Sequence, residues 1–161
     1  MLNLISYIRY LFKSVNQHGV HSPFVYNLLI KALYKKQKLV LHSQVIQWKN
    51  QYGLSKRKQR IINSAVVYFN DQNFKEQHDN AFKIKNTAYF SLGDIDLETV
   101  IGAVNTYSFF IIDNLNQSKE TAEKWDRLKK SNRFNVSIDF YSLGFIFIRK
   151  GQNKEDFIIR V

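Results

Sequence analysis

Glycine is scarce and scattered in this chain. There are six in 161 residues, with a single proline. The two closest glycines, Gly144 and Gly151, stand seven positions apart. A backbone cradle for a phosphate or a dinucleotide needs glycines close together, because a Cβ blocks the ligand's approach to the backbone N–H groups. G-x-G, G-x-G-x-x-G and G-x-x-x-x-G-K are all absent. The same scarcity excludes collagen-like and linker-rich architectures. Hydrophobic residues make up 45% and aromatics 15%, enough for a real core. The length suits a single domain over residues 1–161.

Charge divides the chain in two. Residues 1–70 contain no Asp or Glu, and their eleven Lys and Arg carry the whole net charge of +11. Residues 71–161 are neutral on balance. Such asymmetry points to an anionic partner for the charged half: nucleic acid, a membrane surface or an acidic protein. A basic face kept for solubility is the plainer alternative. The apolar runs at Phe109–Ile112 and Gly144–Ile148 fall far short of a membrane span. No signal-peptide pattern is present, since Arg9 interrupts the first apolar stretch and no A-x-A site follows. The absence of cysteine fits a reducing compartment. A cytoplasmic protein is expected.

The hydrophobic period changes along the chain. Residues 2–15 have helical spacing, with Leu4, Ile5, Ile8, Leu11, Phe12 and Val15 on one stripe and Ser6, Arg9, Lys13 and Asn16 opposite. Packing on its own domain is the ordinary outcome for such a helix, and lying on a membrane the rarer one. Ser22 and Pro23 are an N-cap and a first helical residue. Further helices are expected over Ser43–Tyr52, stopped by Gly53, and over Ser55–Phe69. The first turn of the latter is Lys56-Arg57-Lys58, unfavourable at the positive end of a helix dipole. Residues 70–86 are polar and poorly patterned, and read as a loop.

Beyond that point the pattern is strand-rich. Thr87–Leu92 and Ser108–Ile112 read as strands with a helix between them over Asp96–Asn105, which implies parallel neighbours. Ser118–Lys130 is a helix with Thr121, Ala122, Trp125 and Leu128 inward. Phe134–Asp139, Phe145–Lys150 and Asp156–Val161 are strands joined by short turns. The expected architecture is α/β: a basic helical half over residues 1–70, then an α/β half over residues 87–161 with an open parallel sheet and an antiparallel end.

Several stretches carry a resemblance. His18-Gly19-Val20-His21-Ser22-Pro23-Phe24-Val25-Tyr26, after a basic helix, resembles the start of a group of bacterial class I S-adenosylmethionine-dependent methyltransferases. Phe109-Phe110-Ile111-Ile112-Asp113-Asn114, Ser118-Lys119-Glu120 with Trp125, and Leu143-Gly144-Phe145-Ile146-Phe147-Ile148 are similar to that family's C-terminal section. The resemblance implies a reduced Rossmann-like methyltransferase sheet ending in an antiparallel hairpin. In that family a strand and a glycine-rich cofactor loop follow the helix that ends here near Phe69. This chain has Asn70-Asp71-Gln72-Asn73-Phe74-Lys75-Glu76-Gln77 there, without a glycine. The expectation is a shortened, degenerate methyltransferase-like protein that binds no S-adenosylmethionine unless the site has been rebuilt, and that serves as a non-catalytic binding or interaction module. An active methyltransferase with an unorthodox or partner-completed site is the alternative within the resemblance. An RNA- or membrane-surface-binding protein acting through its basic half is the alternative outside it. A shortened sheet also leaves an edge through which copies can self-associate.

The candidate residues follow. Asp113 and Asn114 end a central strand, where open α/β sheets place ligands. The resemblance implies that such a pair can bind a divalent metal, and a simple strand-end turn is the plainer role. His18 and His21 have the spacing of a shared metal face on a helix, but Gly19 and Pro23 argue for a capped helix junction instead. Lys35, Lys36, Lys38, Lys56, Arg57, Lys58 and Arg60 are the anion-binding candidates, through electrostatics rather than any specific nucleic-acid motif.

Overall fold

The computed structural model describes residues 4–36, 38, 40–75 and 87–161. In chain order these form α1 (Leu4–Lys13), α2 (Pro23–Leu28) continued by a π-helical turn over Leu29–Leu33, α3 (Ser43–Tyr52), α4 (Lys56–Lys75), β1 (Thr87–Ser91), α5 (Leu97–Gly102), β2 (Phe109–Asp113), α6 (Lys119–Lys130), β3 (Val136–Asp139), β4 (Leu143–Phe147) and β5 (Glu155–Ile158). The chain forms two compact units, Met1–Val15 with Ala81–Arg160, and Asn16–Asn80. The first helix therefore belongs with the sheet and not with the other N-terminal helices.

In the sheet unit every residue of β2 is buried, as its apolar run predicts for a strand covered on both faces. β1 pairs with it in parallel, Thr87 opposite Phe109 and Ser91 opposite Asp113. The intervening α5 is the crossover that a parallel pair requires. β3 and β4 form the expected antiparallel hairpin, with Asp139 opposite Gly144. β4 also pairs antiparallel with β2. The sheet is thus a mixed α/β sheet of five strands among the described residues, in the order β1-β2-β4-β3-β5.

One expectation is corrected here. The antiparallel strand is internal, not terminal, and β5 runs parallel to β3. Both edges of β4 are already occupied, by β2 and β3, so β5 takes the open edge of β3. Asn135 holds the connecting segment in place. Its side-chain amide donates to the carbonyls of Arg149 and Gln152, and its Oδ1 accepts from the Arg149 N–H at 2.7 Å. Lys154 Nζ adds a bond to the Ser131 carbonyl at 2.6 Å.

The two faces of the sheet differ. On one, α5 and α6 cover Phe110, Ile112 and Ile146 with Leu97, Val100, Trp125 and Leu128. On the other, Phe109 stacks on Phe147 at 4.7 Å and meets Phe145 edge-on at 5.0 Å. All three are fully buried.

Helix α1 corrects a second expectation. It packs on the sheet unit, but not through its apolar stripe. The side turned inward carries Tyr10 and Ser14, both buried, while Leu4, Ile5, Ile8 and Phe12 are exposed. Tyr10 donates its hydroxyl proton to the Ile159 carbonyl at 2.5 Å. Beyond the helix, Val15 forms a parallel bridge with Ile159 beside β5.

In the helical unit, Ser22 accepts from the Val25 N–H and Pro23 opens α2, as read from the sequence. Gly53 ends α3 in a left-handed conformation, φ 64°, where a Cβ would be strained. The buried Asn63 of α4 accepts from the His42 N–H at 2.8 Å and donates to the Val40 carbonyl at 3.1 Å. The predicted loop over residues 70–86 is wrong for its first part, because α4 continues to Lys75. Asn70-Asp71-Gln72-Asn73 contains neither Gly nor Pro, so nothing forces a helix already nucleated to stop. The rest of that stretch, 76–86, lies outside the described residues.

Gly144 marks a close approach of α6 to the sheet. A Cβ there would stand 2.7 Å from a ring carbon of Trp125 and 3.1 Å from a Leu115 methyl. Both neighbours are buried and cannot give way freely. Gly144→Ala is therefore expected to lower stability by about 1–3 kcal/mol, measured by urea unfolding.

Candidate functional site

The C-terminal ends of β1 and β2 lie side by side, since Ser91 and Asp113 are register partners. Asp113 is buried at 3% exposure, and a carboxylate in that position needs donors. Tyr89 donates its hydroxyl proton to Asp113 Oδ2, and the Asn114 N–H donates to Oδ1 at 2.7 Å. Asn114 adopts φ 60°, a left-handed turn that Asn tolerates better than most residues. From there its amide reaches Ser91 Oγ at 2.9 Å. The pair thus ties the two strand ends together.

The turn after β1 is held by a side chain the sequence did not single out. Lys124 Nζ donates to the carbonyls of Leu92 and Ile95 at 3.2 and 3.1 Å, and pairs with Glu120 at 2.8 Å. The Lys124 ammonium keeps the Glu120 carboxyl below its usual value. At the start of α5, Asp96 accepts from the Thr99 hydroxyl and N–H, which hold its carboxyl low as well.

As a metal candidate, this strand end offers Asp113 and Asn114 as oxygen donors. Among the described residues no group of three or more His, Cys, Asp or Glu stands ready to hold an ion. Both Asp113 oxygens already accept hydrogen bonds from the protein.

A second carboxylate, half-buried, lies at the same end of the sheet. Asp139 ends β3, and its Oδ2 accepts from Trp125 Nε1 at 2.9 Å while Oδ1 accepts from the Tyr141 N–H at 2.7 Å. The two acids do not form a catalytic pair. Asp113 is opposite Leu143 and Asp139 is opposite Gly144. Successive residues of β4 face opposite ways, so Asp139 points to the α6 side and Asp113 to the aromatic side. Neither Asp139 nor Trp125 was marked for a polar role by the sequence. The signal that was present is an acid closing an alternating strand.

The structure separates the histidine pair. His18 sits in a short 3-10 turn over Gln17–Gly19, and Asn16 Oδ1 caps its N–H at 3.0 Å. His21 precedes the next helix and is exposed. Gly19 and Pro23 act as the sequence indicates, and the two imidazoles do not share a helical face.

Of the anion-binding candidates, Lys35, Lys36, Lys38, Lys56, Arg57 and Arg60 are exposed and Lys58 is half-buried. Ser55 caps the N-terminus of α4, its Oγ accepting from the Lys58 N–H at 3.3 Å. Arg60 Nη1 donates to the Leu33 carbonyl at 3.4 Å. This bond sets the first turns of α4 beside the end of the π-helical turn that leads into Lys35 and Lys36. The bond links Arg60 of the second basic cluster to the turn that precedes the first. Among the described residues no contact places Lys38 with them.

Burial raises the Asp139 carboxyl above its ordinary value of 3.8, against the opposing pull of the Tyr141 N–H, the Trp125 N–H and Lys129. The folded state therefore holds the Asp139 proton more tightly than the unfolded chain. Its stabilising share is full below 3.8 and is lost as pH rises through the raised folded value. Relative to Asp139→Asn, the wild-type chain is expected to gain stability on acidification through that window. Urea unfolding at a series of pH values reads the difference. Comparison with known proteins finds no match to this chain among family models, curated proteins or solved structures.

Proposed function

We propose that this chain is a shortened, methyltransferase-like α/β protein that works as a non-catalytic binding module. The observation that carries the reading is the strand end at Asp113. It is where a Rossmann-like sheet receives its ligand, and here its polar groups are spent on one another. Tyr89 and the Asn114 N–H take both oxygens of Asp113, and Asn114 takes Ser91. The lack of any glycine between Gly53 and Gly93 supports the same reading. A cofactor loop in that interval would have to bring backbone to the ligand past Cβ atoms.

The test is thermal unfolding with and without S-adenosylmethionine. Ligand at ~100 times its dissociation constant adds about 2.7 kcal/mol, which raises the midpoint of a domain this size by roughly 5–10 °C. The expected outcome is no shift. A shift of that order overturns the reading in favour of an active methyltransferase with a rebuilt or partner-completed site.

A second reading has its own observation. The Arg60–Leu33 bond gathers Lys35 and Lys36 beside the first turns of α4 in a unit that carries Lys56, Arg57 and Lys58. This is a basic surface for an anionic polymer such as RNA. Binding to single-stranded RNA through it weakens steeply between low and moderate salt, as counterion release requires. The triple change Lys56→Gln, Arg57→Gln, Lys58→Gln is expected to flatten that salt dependence. An unchanged slope removes this surface from consideration.

A further inference from the structure

Helix α1 turns its apolar stripe to water. The seat beneath it is aromatic and polar. Tyr10 bonds the Ile159 carbonyl, Ser6 Oγ and the Tyr141 hydroxyl are 3.1 Å apart, and the Tyr7 and Tyr10 rings lie 4.9 and 5.4 Å from the ring of Tyr141. Val15 then joins the edge of the sheet through backbone bonds to Ile158 and Arg160. These contacts fix the rotation of the helix about its axis, and so fix what faces outward.

What faces outward is Leu4, Ile5, Ile8 and Phe12, at 73, 61, 40 and 87% exposure. At 3.6 residues per turn, Leu4, Ile8 and Phe12 run down one side with Ile5 beside them. Large apolar side chains left contiguous on a surface mark a site of interaction. Arg9 and Lys13, which the sequence pattern sets opposite the stripe, follow Ile5 at four-residue steps and so flank one side of it, both exposed. Helix α1 has no acid, and neither does any other part of residues 1–70.

The charge pattern selects the occupant. A second copy docking through this face would bring Arg9 and Lys13 against their own equivalents, with no carboxylate on the helix to offset them. An anionic bilayer surface matches both features. Its headgroup–acyl boundary takes the apolar side chains, and its phosphates take cations at the border of the stripe. Phe12 is an aromatic of the kind enriched at that depth. Among the described residues no helix is long and apolar enough to cross a membrane, and α1 has ten residues, so the geometry is that of lying on the surface.

We infer that α1 is a lipid-docking helix that lays Leu4, Ile8 and Phe12 into an anionic membrane surface while Arg9 and Lys13 engage its phosphates. The inference is independent of the methyltransferase-like reading.

The test is flotation of the full chain with vesicles of phosphatidylcholine, with and without phosphatidylglycerol. The net charge of +11 alone draws the protein toward anionic lipid, so the decisive variant keeps its charge: Ile8→Gln with Phe12→Gln. Phe12 is 87% and Ile8 40% exposed, so at most a small fall in the unfolding midpoint is expected, and it is checked alongside. The wild-type chain is expected to float with the phosphatidylglycerol vesicles, and the double variant to partition roughly tenfold less. Arg9→Gln and Lys13→Gln are each expected to weaken binding by about fivefold. Equal flotation of the wild-type and double-Gln chains overturns the inference, because attraction is then by charge alone. It is overturned too if neither vesicle binds, or if sedimentation shows a dimer that the double variant dissolves and lipid does not compete with.

Discussion

Burial of β2 on both faces is the constraint from which the sheet unit follows. Four consecutive large apolar side chains, Phe109–Ile112, are removed from water, each stabilised by about 1.5–3 kcal/mol. That outweighs the ~0.5–1.5 kcal/mol net contribution of any one hydrogen bond. A strand in this state needs a partner on each edge and cover on each face. β1 and β4 supply the edges, and α5 and α6 cover one face. The fifth residue of the strand is an acid. Carrying Asp113 into the interior obliges Tyr89 and Asn114 to supply donors. The polar knot at the candidate site is thus a consequence of how deeply β2 is buried. The same knot leaves that strand end with little unmet chemistry.

The close approach of α6 follows a parallel logic. Trp125 lies against Gly144 because that position has no Cβ, and its indole N–H then reaches Asp139 across the end of β3. A glycine, a tryptophan and an aspartate separated along the chain act as one unit. The helix is locked to the sheet, and the carboxyl is held in a poorly solvated place that favours its proton. The surfaces proposed for binding lie elsewhere. One is the cationic surface gathered around α4, and the other is the outward stripe of α1. Both belong to the part of the chain that has no acidic residue.

Much of the fold was legible from residue patterns. The caps at Ser22 and Ser118, the stop at Gly53, the buried run at Phe109–Ile112 and the alternation over Phe134–Asp139 are local signals; each element forms at its signal, although β3 begins only at Val136. The signals that misled were also local. Polar residues after Phe69 suggested a loop, yet a helix end tolerates polar side chains when no Gly or Pro intervenes. The short link before Glu155 suggested antiparallel pairing with β4, and only the occupancy of both β4 edges sends that strand to β3. At the candidate site, Asp113 and Asn114 could be found because they close an apolar strand. Tyr89, Ser91 and Lys124 could not, because they reach the site from other elements by register and packing.

The sequence by itself determined most of the helices and strands, the charge asymmetry and the absence of a glycine cradle, because each depends on residues near one another along the chain. Tertiary structure decided which strand lies beside which, that Asp113 and Asp139 face opposite ways, that Arg60 reaches the Leu33 carbonyl, and that α1 turns Tyr10 inward and its aliphatic stripe out. The last point shows why. Apolar periodicity marks a helix as two-faced, but both faces of α1 can bury a ring or a methyl group. The tyrosine seat at Tyr141, itself placed by a left-handed turn at φ 78°, decides which face the protein keeps.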